Sequence, residues 1–153
     1  AGESVNLAVP LGREALYLDQ VEGTKLVRLF TAPGSRAPLH ATGVGKVFLA
    51  YLGVPEGLSL TPYTPHTLTR LPDPLRELEA VRGRGYALDN EEKELGVRCV
   101  AAPVFGASGG VVAALSLSAP ASRLSLEEAH RLAPRVVEAA RRASLRLGYT
   151  GEV

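Results

Sequence analysis

Three side chains that could bind a ligand or take part in a reaction are Cys99, Ser116 and Ser118. They lie among small and β-branched apolar residues on either side of a glycine-rich turn at 107–110. Such flanks have strand preference, so the stretch predicts a hairpin. Folding about the centre of the turn places Cys99 opposite Ser118 and Ala101 opposite Ser116. Opposed side chains of an antiparallel pair share one face, roughly 5 Å apart. The sequence therefore predicts a thiol and two hydroxyls on one surface.

The two faces of this hairpin differ in polarity. One face carries small and mildly polar side chains, namely Val97, Cys99, Ala101, Ala114, Ser116 and Ser118. The other is uniformly apolar, with Val100, Ala102, Val104, Val111, Ala113, Leu115 and Leu117. We expect the apolar face to be core and the small polar face to form the floor of a ligand cavity.

A second candidate site is the predicted start of a helix at Thr42, Gly43 and Val44. Thr42 is suited to the N-cap position. The first backbone N–H groups of a helix have no partner within the helix, and they lie at the positive end of the helix dipole, so such an end can bind a carboxylate. The alternative is that the glycines only allow close helix packing.

Asp89 precedes Cys99 by ten residues, across the charged connection 90–96, and joins the candidate site because both residues are expected near the face that carries Ser116 and Ser118. A nucleophilic set of Cys99, His40 and Asp89 is one alternative, and a metal site of the same residues is another. Nothing in the spacing brings His40 beside Cys99, and the spacing is not that of a compact metal site, so we predict no catalytic residues, metal or cofactor. The structural alternative is a buried apolar cysteine and an aspartate in a turn.

The whole chain has the composition of one globular domain. Its 153 residues are 46% hydrophobic and 22% charged, with a formal net charge of +1 and a single cysteine. The near-neutral charge excludes a global attraction to nucleic acid or membranes, and one cysteine excludes an internal disulfide. No apolar run approaches the roughly 20 residues of a membrane span. We therefore expect a cytoplasmic protein.

Alternating and helical patterns place these residues in an α+β chain. Strands are predicted at 4–10, 14–21 and 26–31, followed by a helix to residue 52, a short helix near 55–60 and a helix from 71 that ends at Gly83 or Gly85. Residues 86–89 are extended and 90–96 are a charged connection. Ser125 and Glu128 form a capping box that begins a final helix to about residue 147, in which Pro134 should cause a kink or a restart.

Five stretches taken together, residues 15–23, 38–46, 81–92, 96–104 and 113–120, resemble the effector-binding domain of the IclR-type bacterial transcriptional regulators. The resemblance covers almost the whole chain. It implies a GAF/PAS-like α+β fold, in which a curved antiparallel sheet has helices on both faces and a cavity lies between the sheet and its loops.

The resemblance also implies the site. In family members that bind small keto-acids, the ligand carboxylate meets the backbone at the positions of Gly43 and Val44. The remaining residues implied to complete the pocket are Leu26, Leu29, Asp89, Val97, Cys99, Ser116 and Ser118. Val44 is bulkier than alanine and is expected to narrow the mouth of the cavity. Some family members hold a metal ion there, which keeps the Asp89 and Cys99 alternative open.

The predicted role is that of a ligand sensor rather than an enzyme. Residues 1–153 are expected to form a single effector-binding domain that binds a small organic acid and assembles as a homodimer or homotetramer. Nothing in the sequence reads as a recognition helix followed by a β-wing, so we expect DNA binding only through an N-terminal winged helix-turn-helix domain absent from this chain. The alternatives are a GAF-like enzyme that uses Cys99 and a pure oligomerisation domain.

Overall fold

The structure is a computed structural model that describes residues 4–22, 34–69 and 73–151. It contains six strands and three helices in these ranges. In chain order they are β1 (Ser4–Leu11), β2 (Glu14–Glu22), β3 (Arg36–Pro38), α1 (Gly43–Leu52), α2 (Asp73–Arg84), β4 (Ala87–Asn90), β5 (Val97–Phe105), β6 (Val111–Pro120) and α3 (Leu126–Arg146). The predicted strand at 26–31, with Leu26 and Leu29, lies outside the described residues.

The six strands form one antiparallel sheet in the order β3-β2-β1-β6-β5-β4. Chain neighbours β1 and β2 pair through a tight turn, as do β5 and β6. The non-sequential pair β1 and β6 brings the start of the chain beside the central hairpin. The α+β, GAF/PAS-like prediction with helices on both sheet faces is confirmed.

Each face of the sheet has its own apolar core. On one face, α1 and α2 cover small residues of the strands, including Ala8, Ala15, Ala101 and Ala114, all fully buried. On the other face, α3 packs on a second group that includes Val100. Because alanines project little, the first face lets α1 approach the sheet closely.

The central hairpin has the predicted register. Cys99 pairs with Ser118 and Ala101 pairs with Ser116. The register shifts between Val104 and Phe105, where Phe105 pairs with Val111. The assignment of Val111 to the α3 face is therefore wrong: the bulge turns Val111 into the α1 core instead.

The helix ends follow their capping residues. Thr42 caps α1, where its hydroxyl accepts from the Gly45 N–H, and Ser125 caps α3 by accepting from the Glu128 N–H. The predicted short helix near 55–60 is wrong, since this segment forms only a turn. Of the two outcomes expected at Pro134, a kink or a restart, the restart does not occur, because α3 continues through this residue. None of the described helices has the combined length and apolar character needed to cross a membrane.

Candidate functional site

A row of polar side chains crosses the α1 face of the sheet. Strand pairing places Asp89 beside Cys99, Cys99 beside Ser118, and Ser118 beside Ser4. The Cys99 Sγ and Ser118 Oγ atoms lie 3.0 Å apart, within hydrogen-bonding distance for sulfur. Asp89, Ser118 and Ser4 are buried and Cys99 is half-buried. Four strands therefore bring an acid, a thiol and two hydroxyls together.

The start of α1 lies above this row because two glycines remove the side chains that would prevent it. A Cβ atom added at Gly43 would lie 3.1 Å from the Ala101 Cβ and 3.8 Å from the Cys99 Cβ. A Cβ added at Gly45 would lie 2.4 Å from the Leu39 carbonyl oxygen, which is impossible without a backbone shift. Both glycines are therefore needed for close packing, and the same close approach sets the helix start over Cys99.

A cavity of about 120 Å³ opens at this meeting point. The predicted residues among its lining are Thr42, Asp89, Val97, Cys99 and Ser118. The lining also includes Tyr17, Ser35, Arg36, Ala37, Lys93 and Glu94. Of the four larger cavities in the described part of the chain, two, of about 230 and 300 Å³, are lined mainly by apolar side chains, and two, of about 350 and 450 Å³, lie away from Cys99 and Ser118. We select the cavity of about 120 Å³ because polar groups from five strands, β2 to β6, line it.

The Asp89 carboxyl group ionises less readily in this setting than in water. Burial is the largest effect on its carboxyl group and raises its pKa from the ordinary value of 3.8 to about 7, against the opposing effect of the Glu92 N–H. That N–H donates to the Asp89 Oδ1 atom at 2.8 Å. At pH 7 about half of the Asp89 side chains therefore carry a proton that can be donated to a ligand.

Cys99 and Tyr17 are held in their protonated forms. Burial, and then the neighbouring Asp89 charge, raises the pKa of the Cys99 thiol well above its usual range. Burial also raises the pKa of the Tyr17 phenol, with smaller contributions from Cys99 and Asp89. A thiol that resists ionisation is a poor nucleophile. The cavity thus presents neutral donors rather than a thiolate.

The loop after Asp89 is fastened to α1 by a buried ion pair. The Lys46 Nζ atom donates to the Glu92 Oε2 atom and to the Leu88 carbonyl oxygen, each at 2.7 Å. Both side chains of the pair are almost fully buried. Since Glu92 also bonds Asp89 through its backbone N–H, Lys46 fixes the Asp89 carboxyl group relative to the helix start.

His40 does not join Cys99 and Asp89. It is buried, its Nε2 atom lies 2.8 Å from the Thr61 carbonyl oxygen, and it lines two other cavities. Within residues 4–22, 34–69 and 73–151, no group of three or more His, Cys, Asp or Glu side chains is placed to hold a metal ion. The alternative sets that combined Cys99, His40 and Asp89 are therefore not assembled.

Residues 1–145 match the family model of the C-terminal domain of the bacterial transcriptional regulator IclR. The chain belongs to this family. The AllR repressor of Escherichia coli strain K12 is 40% identical over 154 residues, which cover 97% of this chain and 57% of AllR. The chain spans about half the length of the curated relatives it matches.

Solved structures of IclR-type regulators have the same fold. IclR from Thermotoga maritima has a TM-score of 0.88 and 38% identity, over 97% of this chain and 62% of that protein. The inducer-binding domain of PobR from Acinetobacter, a double mutant in complex with 3-hydroxybenzoic acid, has a TM-score of 0.79 and 28% identity, over 95% of this chain and 87% of that domain. The chain is thus an effector-binding domain of the IclR family, and its relatives' names indicate a regulatory rather than an enzymatic role.

Three residues expected at the IclR-type pocket lie beside the cavity rather than in its lining. The Gly43 backbone lies over Cys99, but the Val44 side chain is buried in the α1 core. Val44 therefore does not narrow the mouth of the cavity. Ser116 lies on the predicted face, one row away from Ser118, where it pairs with Asn6. Leu26 and Leu29 lie outside the described residues.

Sequence reasoning missed the contribution of the first two strands. The Asn6 Nδ2 atom donates to the Ser118 Oγ atom at 3.4 Å, Ser4 continues the polar row, and Tyr17 lines the cavity. The available signal was the alternation of Ser4 and Asn6 with apolar residues. That pattern marks a polar face but does not tell which strand lies beside β6.

Proposed function

We propose that this domain senses a small organic acid in the cavity between the start of α1 and the polar row of β4, β5 and β6. The observation that carries the proposal is the convergence of Asp89, Cys99 and Ser118 beneath a helix start. A regulator of this family needs an effector site, and this cavity is the one lined by Asp89, Cys99 and Ser118 together. The acid bound by the PobR domain supports the chemical class.

One end of the site suits a carboxylate. The Thr42 hydroxyl oxygen accepts a hydrogen bond from the Gly45 N–H, and the Thr42 carbonyl oxygen accepts one from the Lys46 N–H. The preceding N–H groups, of Gly43 and Val44, are those that a helix leaves without internal partners. We assign the ligand carboxylate to these two amides, where the helix dipole also favours negative charge.

The other end suits a carbonyl or hydroxyl oxygen. Ser118 and Cys99 are neutral donors on the cavity floor, and protonated Asp89 is a third. An ionised Asp89 would repel an acid, so we propose that the acid binds together with a proton on Asp89. Val97 would form part of the apolar wall of the site. The resemblance to the family implies the same role for Leu26 and Leu29.

The cavity volume favours a small ligand. Pockets for drug-sized molecules measure about 300–1,000 Å³, whereas this cavity measures about 120 Å³. We therefore expect a keto-acid of few carbons to fit better than a large aromatic acid. Ser116, one row further along the sheet, would be reached only by a longer ligand.

A thermal-shift screen against organic acids tests the proposal. The panel includes pyruvate, 2-oxobutyrate and 3-hydroxybenzoate, with pyruvamide as the neutral control. Ligand at 100 times its dissociation constant should stabilise the domain by roughly 2.7 kcal/mol. A shift with an acid and none with pyruvamide supports the carboxylate assignment, whereas no shift with any acid favours the pure oligomerisation domain.

Substitution of Ser118 tests the location of the site. Ser118→Val replaces the hydroxyl by two methyl groups and should abolish the acid-induced shift while the domain remains folded. Ser122→Val, at an exposed turn position, is the matched control and should keep the shift. If Ser118→Val binds the acid with unchanged affinity, Ser118 is not part of the site.

We also propose that the intact regulator binds DNA through a separate N-terminal domain and acts in the cytoplasm as a homodimer or homotetramer. Effector binding can change DNA binding only if the acid has different affinities for two states of the regulator. Sedimentation of the full-length regulator with and without the acid, together with operator titration, measures that difference. Equal operator affinity in both conditions would contradict the sensor role.

A further inference from the structure

The phenol group of Tyr17 lies against the polar cavity. Tyr17 is 7% exposed, belongs to the apolar core beneath α1 and lines the cavity. After burial, the largest effects on its phenol group are the charges of Cys99 and Asp89, which line the same cavity. Because charge interactions weaken with distance, these effects place the phenol oxygen toward those two groups.

The other hydroxyl and thiol groups of the cavity lining already have partners. The Thr42 hydroxyl donates to the Pro38 carbonyl oxygen at 2.7 Å. The Cys99 Sγ and Ser118 Oγ atoms lie 3.0 Å apart and bond each other. Ser35 also interacts with another residue. Each of these four side chains therefore has a partner within the protein.

The Tyr17 hydroxyl is different, because within the described residues it has no hydrogen-bond partner. The polar side-chain atoms in this part of the chain that are both fully enclosed and without a partner are His40 Nδ1 and Glu92 Oε1. Tyr17 Oη is not one of them, so it borders open space, and the cavity that Tyr17 lines is that space. A buried phenol hydroxyl usually has a partner. A molecule in the cavity can supply the missing acceptor.

We propose that Tyr17 determines the specificity of the acid site by donating a hydrogen bond to the oxo oxygen of a 2-oxo acid. The assignment rests on the proposed function, because it requires an acid in the cavity. An acid with a methylene group in place of the oxo group would fill the same space. It would leave the Tyr17 hydroxyl without a partner, and a buried donor without a partner is costly.

The hydrogen-bonding chemistry of the two groups is complementary. Burial, with smaller effects of Cys99 and Asp89, raises the pKa of the Tyr17 phenol above its usual range, so the hydroxyl keeps its proton. A protonated phenol donates, whereas a phenolate can only accept. An oxo oxygen has lone pairs and no hydrogen, so it needs a donor. Tyr17 therefore favours a 2-oxo acid over its unsubstituted partner acid.

Two pairs of acids test the proposal by isothermal titration calorimetry. Each pair differs only in the oxo group: pyruvate with propionate, and 2-oxobutyrate with butyrate. One neutral hydrogen bond corresponds to about a fivefold difference in affinity. Each oxo acid should therefore bind the unmodified chain at least about fivefold more tightly than its partner. In Tyr17→Phe, which keeps the ring in the core, this preference should fall about fivefold.

Two further measurements separate a binding role from a structural one. Tyr51→Phe is the matched control, because it removes a phenol hydroxyl from α1 outside the cavity lining, and it should keep the preference of the unmodified chain. Thermal unfolding shows whether each variant is folded. In the unmodified chain, the ¹³Cζ NMR signal of Tyr17 should shift more with an oxo acid than with its partner.

The possible failures are distinguishable. If no acid binds the unmodified chain, the proposed function is contradicted and the role of Tyr17 with it. If the acids bind but the two members of each pair have equal affinity, or shift the Tyr17 signal equally, only the role of Tyr17 is overturned. An unchanged preference in folded Tyr17→Phe would also overturn it, since another group would then recognise the oxo oxygen.

Discussion

The Asp89→Asn substitution gives the sharpest test of the proposed acid site. Asp89 is 3% exposed, and its pKa of about 7 results mainly from that burial. If the acid binds only when Asp89 is protonated, its affinity must fall as the pH rises above 7. Asparagine has nearly the same shape and keeps an oxygen to accept the Glu92 N–H, but it never ionises. Its affinity for the acid should therefore not change with pH.

The size of the effect follows from the pKa of Asp89. At pH 7, with a pKa of about 7, about half of the Asp89 side chains are protonated, and at pH 9 about one in a hundred are. The dissociation constant of an acid that requires the protonated form should thus rise about 50-fold between these values. Between pH 5 and pH 7 the same calculation gives only about a twofold change.

Isothermal titration calorimetry at pH 5, 7, 8 and 9 measures these constants, with the acid that gives the largest thermal shift in the screen. Glu94→Gln is the matched control, because it removes an acid from the same cavity lining. This control should retain the pH dependence of the unmodified chain. Proton uptake, measured by titration in buffers of different ionisation enthalpy, should reach one proton per ligand at pH 9.

Two outcomes would refute this reasoning. One is an affinity in the unmodified chain that changes less than threefold between pH 7 and pH 9. The other is an Asp89→Asn variant with the same pH dependence as the unmodified chain, which would assign the titration to another group. Either result would show that the acid binds without a proton on Asp89.

Three further predictions concern stability and reactivity. Because the pKa of Asp89 is raised on folding, the folded state binds more protons than the unfolded state between pH 3.8 and about 7. The free energy of unfolding, measured by chemical denaturation, should therefore fall as pH rises through that window, by at most about 1.4 kcal/mol per pH unit from this group. Asp89→Asn should remove this part of the pH dependence. Gly45→Ala should lower the free energy of unfolding, measured by urea titration, by about 1–3 kcal/mol because the added methyl group meets the Leu39 backbone. Gly83→Ala is the opposite case: its methyl group would have no atom within 4 Å, so it should raise the free energy of unfolding by about 0.5–1 kcal/mol. Cys99 should react with iodoacetamide much more slowly in the folded chain than in urea and more slowly still with bound acid, as followed by mass spectrometry; rapid modification of the folded chain would favour the enzyme alternative.

The central hairpin was the most predictable part of the site. Strand alternation has a period of two, and a glycine-rich turn fixes the register, so the pairing of Cys99 with Ser118 follows from the sequence alone. Local sequence also identified the Thr42 and Ser125 caps, because capping depends on residues three positions apart. The prediction failed for Val111, where an extra residue in the ladder reverses the side-chain direction.

The contacts between distant segments were not predictable from periodicity. The placement of β1 beside β6 adds Asn6 and Ser4 to the polar face, and no local pattern encodes that pairing. Similarly, the segment 53–60, with one proline and two leucines, was predicted to be a short helix, but it is held in a non-helical conformation by contacts with other parts of the chain. One of them is the hydrogen bond from Arg13 to the Gly57 carbonyl oxygen.

The buried Lys46 shows why long-range polar contacts matter for the proposed sensor. Its Nζ atom lies 2.7 Å from the Glu92 carboxylate, 46 residues away, and 3.6 Å from that of Glu77. Removal of Glu92 would take away the nearest partner of this buried charge, and removal of Lys46 would leave the buried Glu92 carboxylate uncompensated. Lys46 belongs to α1, whose first amides would hold the ligand carboxylate, and Glu92 bonds Asp89 at the other end of the cavity. The two ends of the proposed acid site are therefore mechanically joined through one ion pair. A ligand that binds both the start of α1 and Asp89 would therefore act on two segments that this ion pair already links. Such a link is what a sensor needs if ligand binding is to change the structure outside the cavity.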